Sequence, residues 1–280
     1  MFMFDKPILQ IKNLSKQYGE GCSYCQQEDA KLERNFCPVC KTVYACKNIS
    51  IDLHRGEILG IVGESGSGKS TLMKCLYFDE EITTGEGYLT DYFNGKENIF
   101  TQSGQQKRFI RNSLLGMVYQ NPMLGLKMDF SSISNIAEKQ IAAGNRNVEQ
   151  MVDRSNELLD KVNILIKRSK EPPKNFSGGM QQRVQIAKAL SSNPPILLLD
   201  EVTTGLDLSV QAAVLDLIKT IQRVMQISMI VVSHDLAVIR MLADRTVVML
   251  NGQIIEEGLT DQILEDPQHA YTQQLVYSLL

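Results

Sequence analysis

The sequence predicts an α/β fold with a largely parallel sheet. Three observations carry this. Short apolar runs bounded by turn residues alternate with stretches of helical periodicity through most of the chain. One such run, Ile58 to Val62, leads straight into the glycine-rich segment Gly63-Glu64-Ser65-Gly66-Ser67-Gly68-Lys69-Ser70. Another, Ile196 to Leu199, ends in two adjacent carboxylates, Asp200 and Glu201.

The individual elements follow from the same patterns. Ile8 to Leu14 and Asn48 to Leu53 read as strands, the second half-buried because Ile49, Ile51 and Leu53 alternate with polar residues. Leu115 to Tyr119 and Met229 to Val232 are short apolar runs of the buried type. Val148 to Ile166 places Val152, Leu158, Leu159, Val162 and Leu165 on one helical face, and Val210, Val214, Leu217, Ile218 and Ile221 do so for a later helix. Asn251-Gly252 between Thr246–Leu250 and Gln253–Glu256 predicts a tight hairpin. Gly19 to Cys46 breaks the pattern: it is polar, rich in cysteine, and reads as an insert between two strands.

Composition narrows the function classes. The 280 residues carry a net charge of -3, with 43% hydrophobic and 22% charged residues, the ordinary balance of a globular protein without the basic excess of a nucleic-acid binder. Met1 to Gln10 lacks a secretory pattern, and no run of about 18 apolar residues occurs, so a cytoplasmic location is expected. Of the six cysteines, Cys22, Cys25, Cys37 and Cys40 form two Cys-x-x-Cys pairs. Two such knuckles can supply four thiolates to one tetrahedral ion; the spacing favours structural zinc, with iron open as the alternative. Cys46 and Cys75 read as ordinary thiols.

The glycine-rich segment fits G-x-x-x-x-G-K-[ST] between a strand and a helix. Its backbone N–H groups can turn inward around a β-phosphate, Lys69 can bridge the β- and γ-phosphates, and Ser70 can ligate Mg²⁺. Asp200 at the strand end can reach the same metal, and Glu201 can polarise an attacking water.

Phe176-Ser177-Gly178-Gly179-Met180-Gln181, ahead of the helical stretch Gln182 to Leu190, resembles the Ser-Gly-Gly signature of the ABC ATPases. The resemblance implies a P-loop fold with an antiparallel β subdomain, over 1–280, and a helical subdomain at 121–190; the small four-cysteine metal-binding insert at 19–46 stands outside it. It implies that ATP is sandwiched in a dimer, with a second copy or another ABC ATPase. Ser177, Gly178 and Gly179 would face the opposite subunit's phosphate loop. Gln120 resembles the glutamine that senses the γ-phosphate and coordinates Mg²⁺, His234 the switch histidine, and Asp207 the aspartate that crosses the dimer. Tyr18 stands where the family stacks an aromatic ring on adenine, and Thr71 completes the nucleotide-contacting set. Phe176 and Met180 replace the more usual Leu and Gln.

Within the family, the sequence is most similar to the ATP-binding subunit of the carbon–phosphorus lyase system and next to importer ATPases for peptides and nickel. Asn121-Pro122-Met123-Leu124-Gly125-Leu126-Lys127-Met128, Asn135-Ile136-Ala137-Glu138 and Gly205 favour the former. That branch implies coupling of ATP turnover to a soluble lyase core in phosphonate breakdown; the alternative is the motor of a membrane permease. Asp266-Pro267-Gln268-His269-Ala270-Tyr271-Thr272 resembles a C-terminal segment of the importer ATPases and reads as a mark of ancestry more than of chemistry. His54 is expected at the surface, and Lys107, Arg108 and Arg111 on a solvated helix face.

Overall fold

The computed structural model describes residues 6–25, 27 and 32–277. In chain order its elements begin with β1 (Leu9–Tyr18), β2 (Val43–Leu53), β3 (Ile58–Val62), α1 (Lys69–Leu76), β4 (Thr84–Leu89) and α2 (Gly104–Phe109). They continue with β5 (Leu115–Val118), α3 (Pro122–Gly125), α4 (Ser132–Ala142), α5 (Val148–Lys161), α6 (Gly178–Leu190), β6 (Ile196–Asp200) and α7 (Leu208–Met225). The chain ends with β7 (Ser228–Val232), α8 (Leu236–Leu242), β8 (Arg245–Leu250), β9 (Gln253–Leu259), α9 (Thr260–Glu265) and α10 (Ala270–Tyr277). Two compact units result: Met1–Gln102 with Val232–Leu280, and Ser103–Val231.

In the first unit, β2, β1 and β4 form an antiparallel sheet with β1 in the middle. Both β1 and β2 run further than the apolar alternation suggests, from Leu9↔Leu53 to Tyr18↔Val43. Register shifts around Leu14 and Lys16 explain this, since each irregularity resets which face the next side chain meets. Strand β4 is invisible to periodicity because Gly85 and Gly87 replace apolar residues. At Gly87 a Cβ would lie 2.7 Å from Phe100 and 3.0 Å from Ile99, so the missing side chain is what lets those two buried residues cover the strand. Elsewhere in this unit β3 pairs parallel with β8, and β8 turns back antiparallel into β9. Asn251 and Gly252 both take positive φ, 50° and 78°, the conformation of a two-residue hairpin turn that matches strand twist.

The second unit holds β5, β6 and β7 as neighbours, β5 and β6 parallel, with every residue of the three strands buried. Continuous burial accounts for their uniformly apolar sequences. Helix α5 is shorter than expected. It ends at Lys161 because Asn163 adopts φ 56° and its N–H bonds Asp160 O, while Ile164 N–H bonds Leu159 O. That pair of bonds is a Schellman stop. It buries Ile164 and leaves Leu165, expected on the helical face, 61% exposed; Val152 is only half-buried. Helix α7 buries Val214, Leu217, Ile218 and Ile221 as expected, with Leu215 added and Val210 half-buried.

Gly87→Ala should lower stability by about 1–3 kcal/mol, the usual cost of forcing a methyl into a filled core. A thermal melt of the variant against the parent measures this.

Candidate functional site

Loop 63–68 joins β3 to α1 and is shaped by backbone that only glycine adopts easily. Gly68 sits at φ 105°, and a Cβ there would lie 2.0 Å from the Ala45 carbonyl oxygen. Lys69 is 4% exposed, and its Nζ donates to Gly63 O at 2.7 Å, Glu64 O at 2.8 Å and Ser67 Oγ at 3.4 Å. These oxygens hold the ammonium over its own loop. Helix α1 has no acidic residue in its first turn, so the partial positive charge of its N-terminus is unopposed there.

In the same unit, Tyr18 ends β1 with 42% exposure. Its hydroxyl bonds Glu80, and the Lys16 ammonium lies 4.9 Å from its ring centroid. Partial burial, and then the Glu80 carboxylate, push its hydroxyl up to about 12. His234 is exposed, directly after β7, between Ser233, whose N–H bonds Ile61 O, and Asp235, whose carboxylate caps α8 at Ala237 N. His54, expected at the surface, is half-buried, and its backbone N–H donates to Glu57 Oε2 at 2.6 Å.

The second unit carries the carboxylates. Asp200 ends β6 at 5% exposure. Glu201 follows in a left-handed conformation, φ 46°, a backbone choice that costs a non-glycine residue energy and that clusters at functional sites. Its Oε2 accepts from Gln120 Nε2 at 3.0 Å and from Thr204 Oγ1 at 3.2 Å. The structure thus brings Gln120 and Glu201 together. Asp207 has a local bond set: its Oδ1 accepts from Val210 N–H and Ser209 Oγ, capping α7, and these bonds, Val210 first, hold its carboxyl below the usual range.

Ser177 stands at the N-cap of α6 without making a side-chain cap bond. Gly179 has a packing reason as well, since a Cβ would meet Val210 Cγ1 at 2.3 Å. The unusual Phe176 and Met180 share one neighbour. Arg168, paired with Glu171 at 2.8 Å, lies 4.5 Å from the Phe176 ring centroid and reaches Met180 Sδ at 3.5 Å.

Sequence reasoning missed Gln182 and Gln185. Both are buried on α6. Gln182 Nε2 donates to Gln120 O at 3.1 Å; Gln185 Nε2 donates to Tyr119 O at 3.0 Å and its Oε1 accepts from Tyr119 N–H at 2.8 Å. The helix that carries Ser177 thereby clamps the backbone that carries Gln120. Two glutamines among the apolar positions of a helix are a polar signal that could have been noticed, but their partner could not be read from spacing.

The same residue explains Gly125: a Cβ there would lie 2.2 Å from Gln185 Oε1. The stretch after Gln120 is further held by Lys188 Nζ on Gly125 O, by Glu138 between Lys127 and Lys188, and by Asn135, which donates to Lys127 O, Phe130 O and Ser131 O. Met123 and Leu124 stay 67% and 68% exposed, whereas Leu126 is 5% exposed.

The four insert cysteines converge. Their sulfurs lie within 4.8 Å of one another, with Cys22–Cys25 at 3.7 Å, Cys22–Cys37 at 3.9 Å and Cys25–Cys40 at 3.6 Å. These are the edges expected, about 3.8 Å, for a tetrahedron with metal–sulfur bonds of about 2.3 Å, and far beyond the roughly 2.05 Å of a disulfide. Cys22 N–H points at Cys25 Sγ and Cys40 N–H at Cys37 Sγ, as in two knuckles. Hydrogen bonding with Thr42 draws Cys40 down to about 6, hydrogen bonding with Tyr44 lowers Cys25, and burial pushes Cys37 up to about 11. Residues 26 and 28–31 of the insert lie outside the described residues. Cys46 and Cys75 are buried thiols, both raised by burial.

The family model for ABC transporter matches residues 46–204. The chain belongs to the ABC transporter family. It is an ATP-hydrolysing ABC ATPase. It is 38% identical to PhnK of Escherichia coli (strain K12), named for phosphonates utilization and ATP binding, over 99% of both chains. To the oligopeptide transport ATP-binding protein OppD of Bacillus subtilis (strain 168) it is 39% identical, over 85% of this chain and 67% of that one. Among solved structures, the dimeric post-hydrolysis ATP-binding cassette MJ0796 with ADP and Pi superposes at TM-score 0.74 and 28% identity, covering 90% of this ABC ATPase and 98% of that chain.

Gly125→Ala should destabilise this ABC ATPase by the overpacking of Gln185, on the order of 1–3 kcal/mol. In a Gln185→Ala background the same change should cost much less. Denaturant unfolding of the four proteins gives the coupling.

Proposed function

We propose that this ABC ATPase couples ATP turnover to a carbon–phosphorus lyase complex in phosphonate breakdown. The observation that supports this most is the end-to-end match to PhnK, which spans 99% of both chains, where that to OppD, at similar identity, spans 85% of this chain and 67% of the other. The importer reading is the alternative, and Met123 and Leu124 bear on both, because an exposed apolar pair beside Gln120 is where either client would dock.

In this proposal Gly63 to Thr71 hold the phosphates by backbone N–H groups, Lys69 and hydroxyls, and Tyr18 stacks on the adenine. Ser177, Gly178, Gly179 and Asp207 act across a dimer of two such chains or of this chain with another ABC ATPase, in the cytoplasm. Ser70, Asp200 and Gln120 would hold Mg²⁺. Their oxygen donors, one a buried carboxylate, are the hard set that ion prefers, and when bound it neutralises charge on the phosphates. Glu201 takes the hydrogen bond of the attacking water. Gln120 Nε2 and Thr204 Oγ1 both donate to its Oε2, which places the two side chains beside the carboxylate that would take that role. His234 contacts the γ-phosphate. Cys22, Cys25, Cys37 and Cys40 would hold one structural Zn²⁺, which the near-tetrahedral sulfur spacing supports.

Glu201→Gln should keep ATP binding, nearly abolish turnover and accumulate dimer on a sizing column, while Lys69→Ala should weaken ATP binding itself. Unchanged turnover in Glu201→Gln would remove Glu201 from the reaction. Leu124→Asp should reduce co-purification with lyase subunits. It is a cleaner probe than Gly125 or Leu126, whose surroundings are filled. A pull-down that returns a permease and no lyase subunit decides for the importer reading.

Purified protein should contain one zinc per chain. Cys37→Ser should lose it yet still bind ATP, because Tyr44 and Cys46, which flank Ala45, are held by pairing with Gln17 and Lys16 of β1. Chelator should strip the metal faster at pH 6 than at pH 8, since Cys37 must give up its proton to bind. Elemental analysis without zinc or iron would refute the centre.

A further inference from the structure

The C-terminal Asp266-Pro267-Gln268-His269-Ala270-Tyr271-Thr272 lies outside the matched family region, residues 46–204. Its resemblance to importer segments reads as a mark of ancestry more than of chemistry. The structure gives it a physical contact. Glu256 on β9 accepts from the N–H groups of Gln268 at 2.7 Å and His269 at 3.0 Å, and His269 Nδ1 accepts from Tyr271 N–H at 3.1 Å. Pro267 O accepts from Gln273 Nε2 at 3.0 Å. These bonds fix the start of α10 and aim one side chain back across 207 residues of sequence. The Tyr271 hydroxyl accepts from the N–H of Glu64, inside the phosphate loop, at 2.8 Å.

That N–H belongs to the peptide unit whose carbonyl is Gly63 O. The unit is planar and trans, so its N–H and C=O point in opposite directions and turn together. On one side is Tyr271. On the other is Lys69, whose Nζ lies 2.7 Å from Gly63 O and 2.8 Å from Glu64 O. Rotating the peptide would break the tyrosine bond and the lysine bond at once. Gly63 supplies no side chain to resist such a rotation, and Glu64 is exposed. The tyrosine hydroxyl is therefore a restraint on this plane from outside the loop.

We propose that Tyr271 is a positioning residue for Lys69, acting through the Gly63–Glu64 peptide, and that the C-terminal segment is thereby part of the nucleotide site. This rests on the reading of Gly63 to Ser70 as the loop that holds ATP. With the hydroxyl gone, the peptide samples orientations in which Gly63 O no longer faces the ammonium, and Lys69 loses part of its preset position. A neutral hydrogen bond of this kind shifts an equilibrium by roughly three- to tenfold.

The test is Tyr271→Phe, which keeps the ring and removes one oxygen, compared with Lys69→Ala and the double variant. The probe is a fluorescent ATP analogue, with steady-state ATPase rates and melting temperatures alongside. Tyr271→Phe should weaken binding and raise KM by about three- to tenfold, with kcat and melting temperature little changed, the pattern of lost uniform binding. In the Lys69→Ala background it should have no further effect, because the group it positions is absent. Binding within about twofold of the parent, an equal loss in the Lys69→Ala background, or a loss that tracks a fall in melting temperature would each overturn the proposal. Should Lys69→Ala itself bind normally, the loop reading fails first, and that outcome is distinct from the failure of Tyr271.

Discussion

Lys69 is a buried cation, and the conformation of the loop around it answers to that charge. An ammonium removed from water must be met by oxygens, or its burial is prohibitive. Here the loop itself supplies Gly63 O, Glu64 O and Ser67 Oγ. The carbonyls point inward only because the backbone takes positive φ at Gly63, Gly66 and Gly68. Gly68 is in turn pressed against the Ala45 carbonyl, and Cys46 approaches Gly68 O at 3.8 Å. The strand that leaves the cysteine insert thus forms the wall behind the loop.

A comparable constraint organises the other unit. Backbone at 119–120 cannot satisfy itself by sheet pairing beyond Val118, so Gln182 and Gln185 supply partners from α6. Buried glutamines that meet several partners offset their desolvation only when every partner is in place. The requirement spreads outward: Gly125 must lack a side chain because Gln185 occupies that space. Helix α6 and the backbone that carries Gln120 are therefore one hydrogen-bonded piece.

Chemistry-bearing residues are more legible than their supports. The loop, Asp200-Glu201 and the paired cysteines are contiguous or tightly spaced, and the geometry they need is local. Strand β4 is hidden by Gly85 and Gly87, whose function is to be absent as side chains. The end of α5 escapes the pattern because the apolar period continues through Leu165 while Asn163 turns the backbone left-handed and stops the helix. Periodicity counts side chains; the stop is a backbone event.

By itself the sequence determined the α/β class, the phosphate loop, the order of the family motifs and the set of four paired cysteines, since each depends on residue type at short separation. Tertiary structure alone decided which groups meet. Gln120 and Glu201 are 81 residues apart and share a hydrogen bond of 3.0 Å, and Tyr271 reaches Glu64 across 207 residues. No local propensity encodes such pairs. They exist because the surrounding elements bury enough apolar surface to hold two polar groups in one place, and that packing is a property of the whole chain.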